Sequence, residues 1–329
     1  MGYMNIQSSF IKQFDNWEKK GIVIKPSFKQ RWMKSHTAVP FAEKLSENNF
    51  QIFFCIRDSK NRSHIVSKKI NLKKIIDNKI NSKVELYPGN LGEFDENGVT
   101  PTWVLNLKQK KYLYYVGWRP TSTVRFSLFV GLAVQKKNSK KFRKLGNFPI
   151  LERSKIDPFL TATLSILKEE KKIKMWYVSG EGWIKLKNKE TIPRYNIKYA
   201  ESANGIEWER KGKVCIDFKS KTESAIARPS VIKIKNIYYM WYCFKEINKD
   251  YKIGFAISKD GKNWKRFDKF CTSLNYKKKK WDSKMLAYPH VIKNKNELLM
   301  FYNGNGYGKS GIALAKLNIS FLNNSGIKD

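Results

Sequence analysis

The sequence is poor in acids. Against 65 Lys and Arg residues it carries 28 Asp and Glu, a formal net charge of +37. Histidines number three and cysteines four. Cys55, Cys215, Cys243 and Cys271 lie far apart and form no CxxC, which excludes a zinc-cluster or redox-dithiol motif. Cys55 and Cys243 stand in apolar, strand-like runs, so buried free thiols are expected. Long apolar stretches are missing too. The longest, FSLFVGLAV at 126–134, is too short for a membrane span. The start, MGYMNIQSSF, lacks a signal-peptide core and puts Ile6 where a myristoylation motif has Ser or Thr. A cytoplasmic protein is the expectation. NGNGYG at 303–308 is glycine-rich but follows no helix pattern, so a phosphate loop is not expected. His36 and His290 flank strand-like runs without a ligand cluster, so no metal or other cofactor is expected.

What is present in excess is positive charge. One reading is a polyanion partner. The other is compositional, because the lysines are scattered and runs such as NYKKKKW at 275–281 fall between strand-like blocks. No nucleic-acid-binding module stands out, and no specific nucleic-acid partner is expected. Aromatics make up 14% of the chain, which argues for a packed core despite the charge.

Five stretches share one register: TAVPFAEKL (37–45), GVTPTWVLNL (98–107), LTATLSIL (160–167), IARPSVIKI (226–234) and LAYPHVIKN (286–294). Each is followed by two further apolar runs. Pro40, Pro101, Thr163, Pro229 and Pro289 form one column, spaced by 61, 62, 66 and 60 residues. Strand-like runs repeating with turn signals indicate an all-β repeat architecture, read here as a single five-bladed β-propeller over 1–329. Its blades fall at about 30–88, 89–147, 148–217, 218–270 and 271–317. The last block ends early, and NWEKKGIVI at 16–24 resembles EWERKGKVCI at 207–216. Residues 16–24 are therefore expected to close the last blade, which would leave no open edge.

Six residues before the aligned column stand Lys34, Asp95, Asp157, Glu223 and Ser283. Leading strands of a propeller line its channel, so this register predicts that Asp95, Asp157 and Glu223 converge there. Clustered carboxylates raise one another's pKa, which suits acid and base roles. Such acids can also cap turns. Side chains at the ends of the second runs and near the leading strands are candidates for substrate binding. They are Arg57, Asp58, Trp118, Arg119, Glu181, Trp183, Arg228, Lys245, His290, Asn305 and Tyr307. Trp118, Trp183 and Tyr307 could stack on sugar rings, and the arginines could hold a carboxylate or phosphate.

The block pattern and the SKDGKNW turn (258–264) resemble the five-bladed propellers of glycoside hydrolase families 43 and 32, the arabinanases, β-xylosidases and fructosidases. By position, the resemblance implies a base or nucleophile at Asp95, a modulator at Asp157 and a general acid at Glu223. FDENGVTPTWV, DPFLTAT, MWYVSGEGW and RYNIKYAES are also similar to uncharacterised propellers encoded with bacterial surface-polysaccharide biosynthesis genes. This implies a glycan or nucleotide-sugar setting.

Two functions follow as expectations. One is a glycosidase-like enzyme acting on a glycosidic bond of a neutral or anionic carbohydrate. Its carboxyl groups would be about 6.5–9.5 Å apart, as inversion requires. The other is a non-catalytic glycan-binding or scaffolding propeller, in which the aromatics and arginines dominate. The sequence leaves the oligomeric state open.

Overall fold

A computed structural model describes residues 8–28, 30–74, 82–188, 190–276 and 279–322 of the chain. The lysine run at 275–281 lies partly outside these residues. The described chain is all-β, and its helices are single turns or little more.

Strand β1 (Glu18–Ile24) comes first. β2 (Ser35–Lys44), β3 (Asn49–Arg57), β4 (Ser63–Asn71) and β5 (Lys83–Leu86) form one sheet in that order. β6 (Val99–Leu107), β7 (Lys110–Arg119), β8 (Ser127–Lys136) and β9 (Arg143–Lys144) form a second. A larger sheet holds β10 (Thr161–Lys168), β11 (Ile173–Lys185), β12 (Thr191–Ser202) and β13 (Glu209–Ile216), then β14 (Glu223–Ile234), β15 (Ile237–Glu246), β16 (Lys252–Ser258) and β17 (Lys265–Arg266). Its two antiparallel halves meet at one parallel contact, Tyr195 opposite Ala225. β18 (Ala287–Asn294), β19 (Glu297–Asn303) and β20 (Ile312–Asn318) complete a terminal sheet ordered β1-β20-β19-β18.

The second strands carry β-branched and aromatic residues on both faces and are buried through their middles, as in Phe53, Tyr115, Trp176, Trp241 and Phe301. The strand expected at 16–24 pairs with β20, from Glu18 opposite Lys316 to Ile24 opposite Ile312. Gly21 sits at φ +101 where that register shifts, a conformation that costs glycine little. Ahead of it, Phe14 and Trp17 are buried against Trp241. Thus the first and last strands meet in one sheet, and β20 is paired on both sides. All four cysteines are buried and free, as expected.

Neighbouring leading strands are stitched through side chains. Leu164 N–H donates to Thr102 Oγ1 (2.7 Å), Val231 N–H to Ser165 Oγ (3.0 Å) and Val291 N–H to Ser230 Oγ (2.8 Å). Val39 N–H donates to Asn303 Oδ1 at 2.8 Å, joining the terminal sheet to the first. These bonds satisfy backbone donors that the bulges described below withdraw from the ladders.

Candidate functional site

Every leading strand breaks register at the aligned column, between Ala38 and Phe41, Pro101 and Trp103, Thr161 and Leu164, Ala227 and Ser230, and Ala287 and His290. Proline is tolerated at such bulges because it has no N–H to offer the ladder. The residue before it takes positive φ in three strands: Val39 at 55°, Arg228 at 56° and Tyr288 at 56°. For bulky side chains this is strained backbone, which clusters at binding sites. The bulges re-aim these residues.

Arg228 is buried and forms the floor. Its guanidinium donates to Thr102 O (2.7 Å), Thr102 Oγ1 (3.0 Å) and Pro40 O (2.7 Å), so it reaches from β14 to β6 and β2. These partners are neutral oxygens, and Nε has none among the described residues. Small residues surround the bulges: Ala38, Ala162, Ala225, Ala227 and Ala287.

Two groups of aromatic rings stand near the far ends of the second strands, and this end is the mouth. Phe126 lies between Trp118 and Trp183, edge-to-face with both at 5.3 Å. Tyr251 and Tyr288 each lie within 6.3 Å of Tyr307, and the Tyr195 and Tyr251 hydroxyls are hydrogen-bonded. Both groups pack against the same core. Burial pushes the Tyr195, Tyr251 and Tyr288 hydroxyls far up, so they act as neutral donors. The rim is cationic. Lys245 Nζ sits 5.3 Å from the Tyr251 ring centre, and burial followed by Arg125 depresses its pKa while Asp250 opposes the shift. Arg125 also acts on Tyr195 and Tyr307. Arg57 and Lys309 lie close enough to His36 to add to the effect of burial, and its pKa falls to about 4.

The three in-register acids are not part of this mouth. Each is clamped within its own sheet by a cation from that sheet's fourth strand. Asp95 pairs with Lys144 (2.7 Å). Asp157 pairs with Arg210 (2.7 Å) and accepts from Ser179 Oγ (2.7 Å) and Tyr177 OH (3.1 Å). Glu223 is held by both terminal nitrogens of Arg266 (2.7 and 2.8 Å) and by Lys219 N–H. They are 1%, 0% and 3% exposed. A fourth copy is Asp282 with Lys19 (2.7 Å) and Tyr302 OH (2.9 Å), one residue away from the aligned Ser283. Convergence on a channel is therefore corrected. Each acid stands at or just before the start of its leading strand and reaches across its own sheet to the outermost strand. Lys34 at this register is exposed and joins no such clamp.

The other candidates divide. Arg57, Trp118, Trp183, Arg228, Lys245 and Tyr307 belong to the mouth. Glu181 pairs with Lys198 (2.9 Å) and Arg119 with Glu96 (3.3 Å). Asp58 is buried and accepts from Arg62 Nε and a His64 ring nitrogen, both at 3.0 Å. Two assignments are corrected. Asn305 accepts from the Lys284 and Met285 N–H groups and ties its loop to the segment that precedes β18. His290 is core, its Nε2 3.0 Å from Ala42 O and its ring packed on Phe41 and Trp103. Sequence reasoning missed Tyr195, Tyr251, Tyr288, Phe126 and Arg125. Tyr288 had a signal, since it precedes the aligned proline, as Arg228 does.

Burial, then Arg228, lowers the His290 pKa to about 3. Both His36 and His290 thus titrate below the ordinary 6.5 in the fold. The unfolded chain binds protons first, so their stability contribution is complete above about pH 6.5 and is lost as pH falls toward 4 and then 3. Urea unfolding between pH 7 and 4 should show this decline, and His290→Gln should flatten it. An equally steep decline in the variant would place the acid lability elsewhere.

Residues 185–319 match the glycoside hydrolase 130 family model, described as beta-1,4-mannooligosaccharide phosphorylase. Two Mycobacterium tuberculosis proteins, the uncharacterized proteins MT1551 and Rv1502, are each 33% identical over 304 residues, covering 92% of this chain and 99% of theirs. A solved glycoside hydrolase superposes with TM-score 0.71 at 16% identity, covering 95% of this chain and 96% of its own. The Bombyx mori GH32 β-fructofuranosidase gives 0.60 at 13%, covering 93% and 64%, and a thermostable family-43 glycoside hydrolase 0.57 at 16%, covering 88% and 91%. The fold is thus that of the propeller glycosidases.

Proposed function

We infer the function from this premise: the chain belongs to the same family as the Mycobacterium tuberculosis proteins MT1551 and Rv1502, and it is glycoside hydrolase-like in family match and fold. The two halves of the large sheet count as separate blades. This gives a single five-bladed propeller domain whose last blade is completed by β1. It acts on a sugar seated in the aromatic mouth. The four free thiols fit a reducing, cytoplasmic setting.

The observation that carries the reaction type is the charge at that mouth. Arg57, Arg125, Lys245 and Lys309 surround it, and Asp250 is the carboxylate that acts on Lys245 and Tyr307. Inverting hydrolysis needs two carboxyl groups, one as acid and one to activate water. Phosphorolysis needs one. A phosphate oxygen attacks the anomeric carbon, the glycosidic C–O bond breaks, and one acid protonates the leaving oxygen. The phosphate brings its own negative charge, which cations must hold. We therefore assign transfer to phosphate, with a β-mannooligosaccharide as the first substrate to try and Asp250 as proton donor.

The test is oligosaccharide cleavage with and without phosphate, with sugar 1-phosphate and free sugar both quantified. Phosphate-dependent turnover is expected. Equal turnover without phosphate would assign hydrolysis instead. Binding without turnover would favour the glycan-binding reading, which the diversion of Asp95, Asp157 and Glu223 into clamps also supports. Lys245→Ala should raise the KM for phosphate by about tenfold or more, and Trp183→Ala should weaken sugar binding by about tenfold. Steady-state kinetics and calorimetry separate the two effects.

A further inference from the structure

The excess charge is not spread evenly. Antiparallel pairing puts the turns β2–β3, β6–β7, β10–β11, β14–β15 and β18–β19 at the end opposite the mouth. Contacts between these turns hold them together: Lys111 to Glu43 (2.8 Å), Lys233 to Glu169 (3.2 Å) and Lys295 to Glu47 (2.7 Å). At this end the second sheet carries LKQKK (107–111) and QKKNSKKFRK (135–144), with no acid in either. The corresponding segment of the β10–β13 half is ESANGIEWER (201–210), with three acids and one cation, the clamp residue Arg210. A uniform compositional bias would not produce this contrast.

Lys108, Lys110, Lys136, Lys137, Lys140 and Lys141 are all exposed, and none is ion-paired among the described residues. Lys69 and Lys74 are also exposed on the first sheet, and Lys73 there lies beside Glu47. The sheets are tied there by Lys83 Nζ donating to Lys140 O at 2.6 Å. Lys110 and Lys136 stand directly opposite each other across β7 and β8. Like charges so placed destabilise a sheet, so this arrangement has a cost with no folding benefit.

We propose that this lysine patch docks the protein on a membrane surface rich in anionic lipid, with the mouth turned toward water. The chemistry favours a bilayer over a nucleic acid. The cations are lysines, compact point charges on flexible stems, and only Arg143 offers a planar fork. Among the described residues, none of the exposed large aromatics, Phe28, Tyr87, Phe148 and Phe159, belongs to these turns, so they offer bases no stacking platform. A cluster of this size suits attraction to a charged leaflet without insertion. The inference does not depend on the reaction assigned to the mouth.

The test is co-sedimentation of the full chain with phosphatidylcholine vesicles containing 30% phosphatidylserine, roughly the charge of an anionic leaflet, against pure phosphatidylcholine. Binding to the charged vesicles alone is expected, and it should be lost at about 0.5 M salt. Charge reversal of Lys136, Lys137, Lys140 and Lys141 to Glu should weaken partitioning by roughly a hundredfold or more. Reversal of Lys25, Lys60, Lys185 and Lys187, which are exposed elsewhere, should weaken it several-fold less. Lys136→Gln removes the opposed pair, so it should weaken binding modestly while raising the unfolding midpoint. This keeps the idea testable if the quadruple variant folds poorly. Equal loss in both quadruple variants, equal binding to neutral vesicles, or tighter retention on heparin or DNA at matched charge would each overturn the proposal.

Discussion

Asp157→Asn and Glu223→Gln should each destabilise the fold by about 3–5 kcal/mol. The Glu223 carboxylate and its Arg266 partner are almost fully buried, and so is Asp157 beside Arg210. An amide keeps the shape but leaves the Arg210 guanidinium without an acid partner in a largely buried site, whereas Arg266 keeps Asp268 at 2.9 Å, so Glu223→Gln should fall at the lower end of this range. The uncompensated charge dominates the loss, because the intact pair itself gains little over its desolvation. Asp95→Asn should cost less, since Lys144 is 20% exposed and can turn to water. Denaturant unfolding followed by tryptophan fluorescence measures these shifts. A catalytic role predicts the opposite pattern: unchanged unfolding with turnover down by a hundredfold or more. That pattern in Glu223→Gln would return the in-register acids to the reaction and remove the clamp interpretation.

Arg228→Ala should cost a similar amount, about 3–5 kcal/mol. The change removes three hydrogen bonds that tie β14 to β6 and β2, and it orphans the buried carbonyls of Pro40 and Thr102. It also empties volume beneath the mouth. Burying an unpaired guanidinium is itself unfavourable, so a volume-filling Arg228→Met should recover part of the loss, to about 2 kcal/mol. Arg228→Lys should fall between the two, because one ammonium on a single stem cannot span both strands in a fork. Unfolding curves of the three variants give the ordering. If Arg228→Ala keeps its midpoint and loses only activity, the guanidinium contacts substrate and does not brace the strands.

The sequence by itself determined the strands, their repeat and the pairing of the early strand within residues 16–24 with the last one. Those features are written in local periodicity and in the likeness of NWEKKGIVI to EWERKGKVCI, and β1 does pair with β20. It also put proline at the aligned column in four of the five strands, where it cannot donate to a ladder. Only the tertiary structure decided which way the register pointed. Asp95, Asp157 and Glu223 do repeat, yet periodicity records that positions are equivalent and not which direction they face. These acids, at or just before the starts of the leading strands, reach across the sheet to Lys144, Arg210 and Arg266, partners 43 to 53 residues away. Part of the mouth was hidden for the same reason. Tyr195, Tyr251 and Arg125 come from separate strands and turns, and no local pattern marks residues that meet because a fold brings them together.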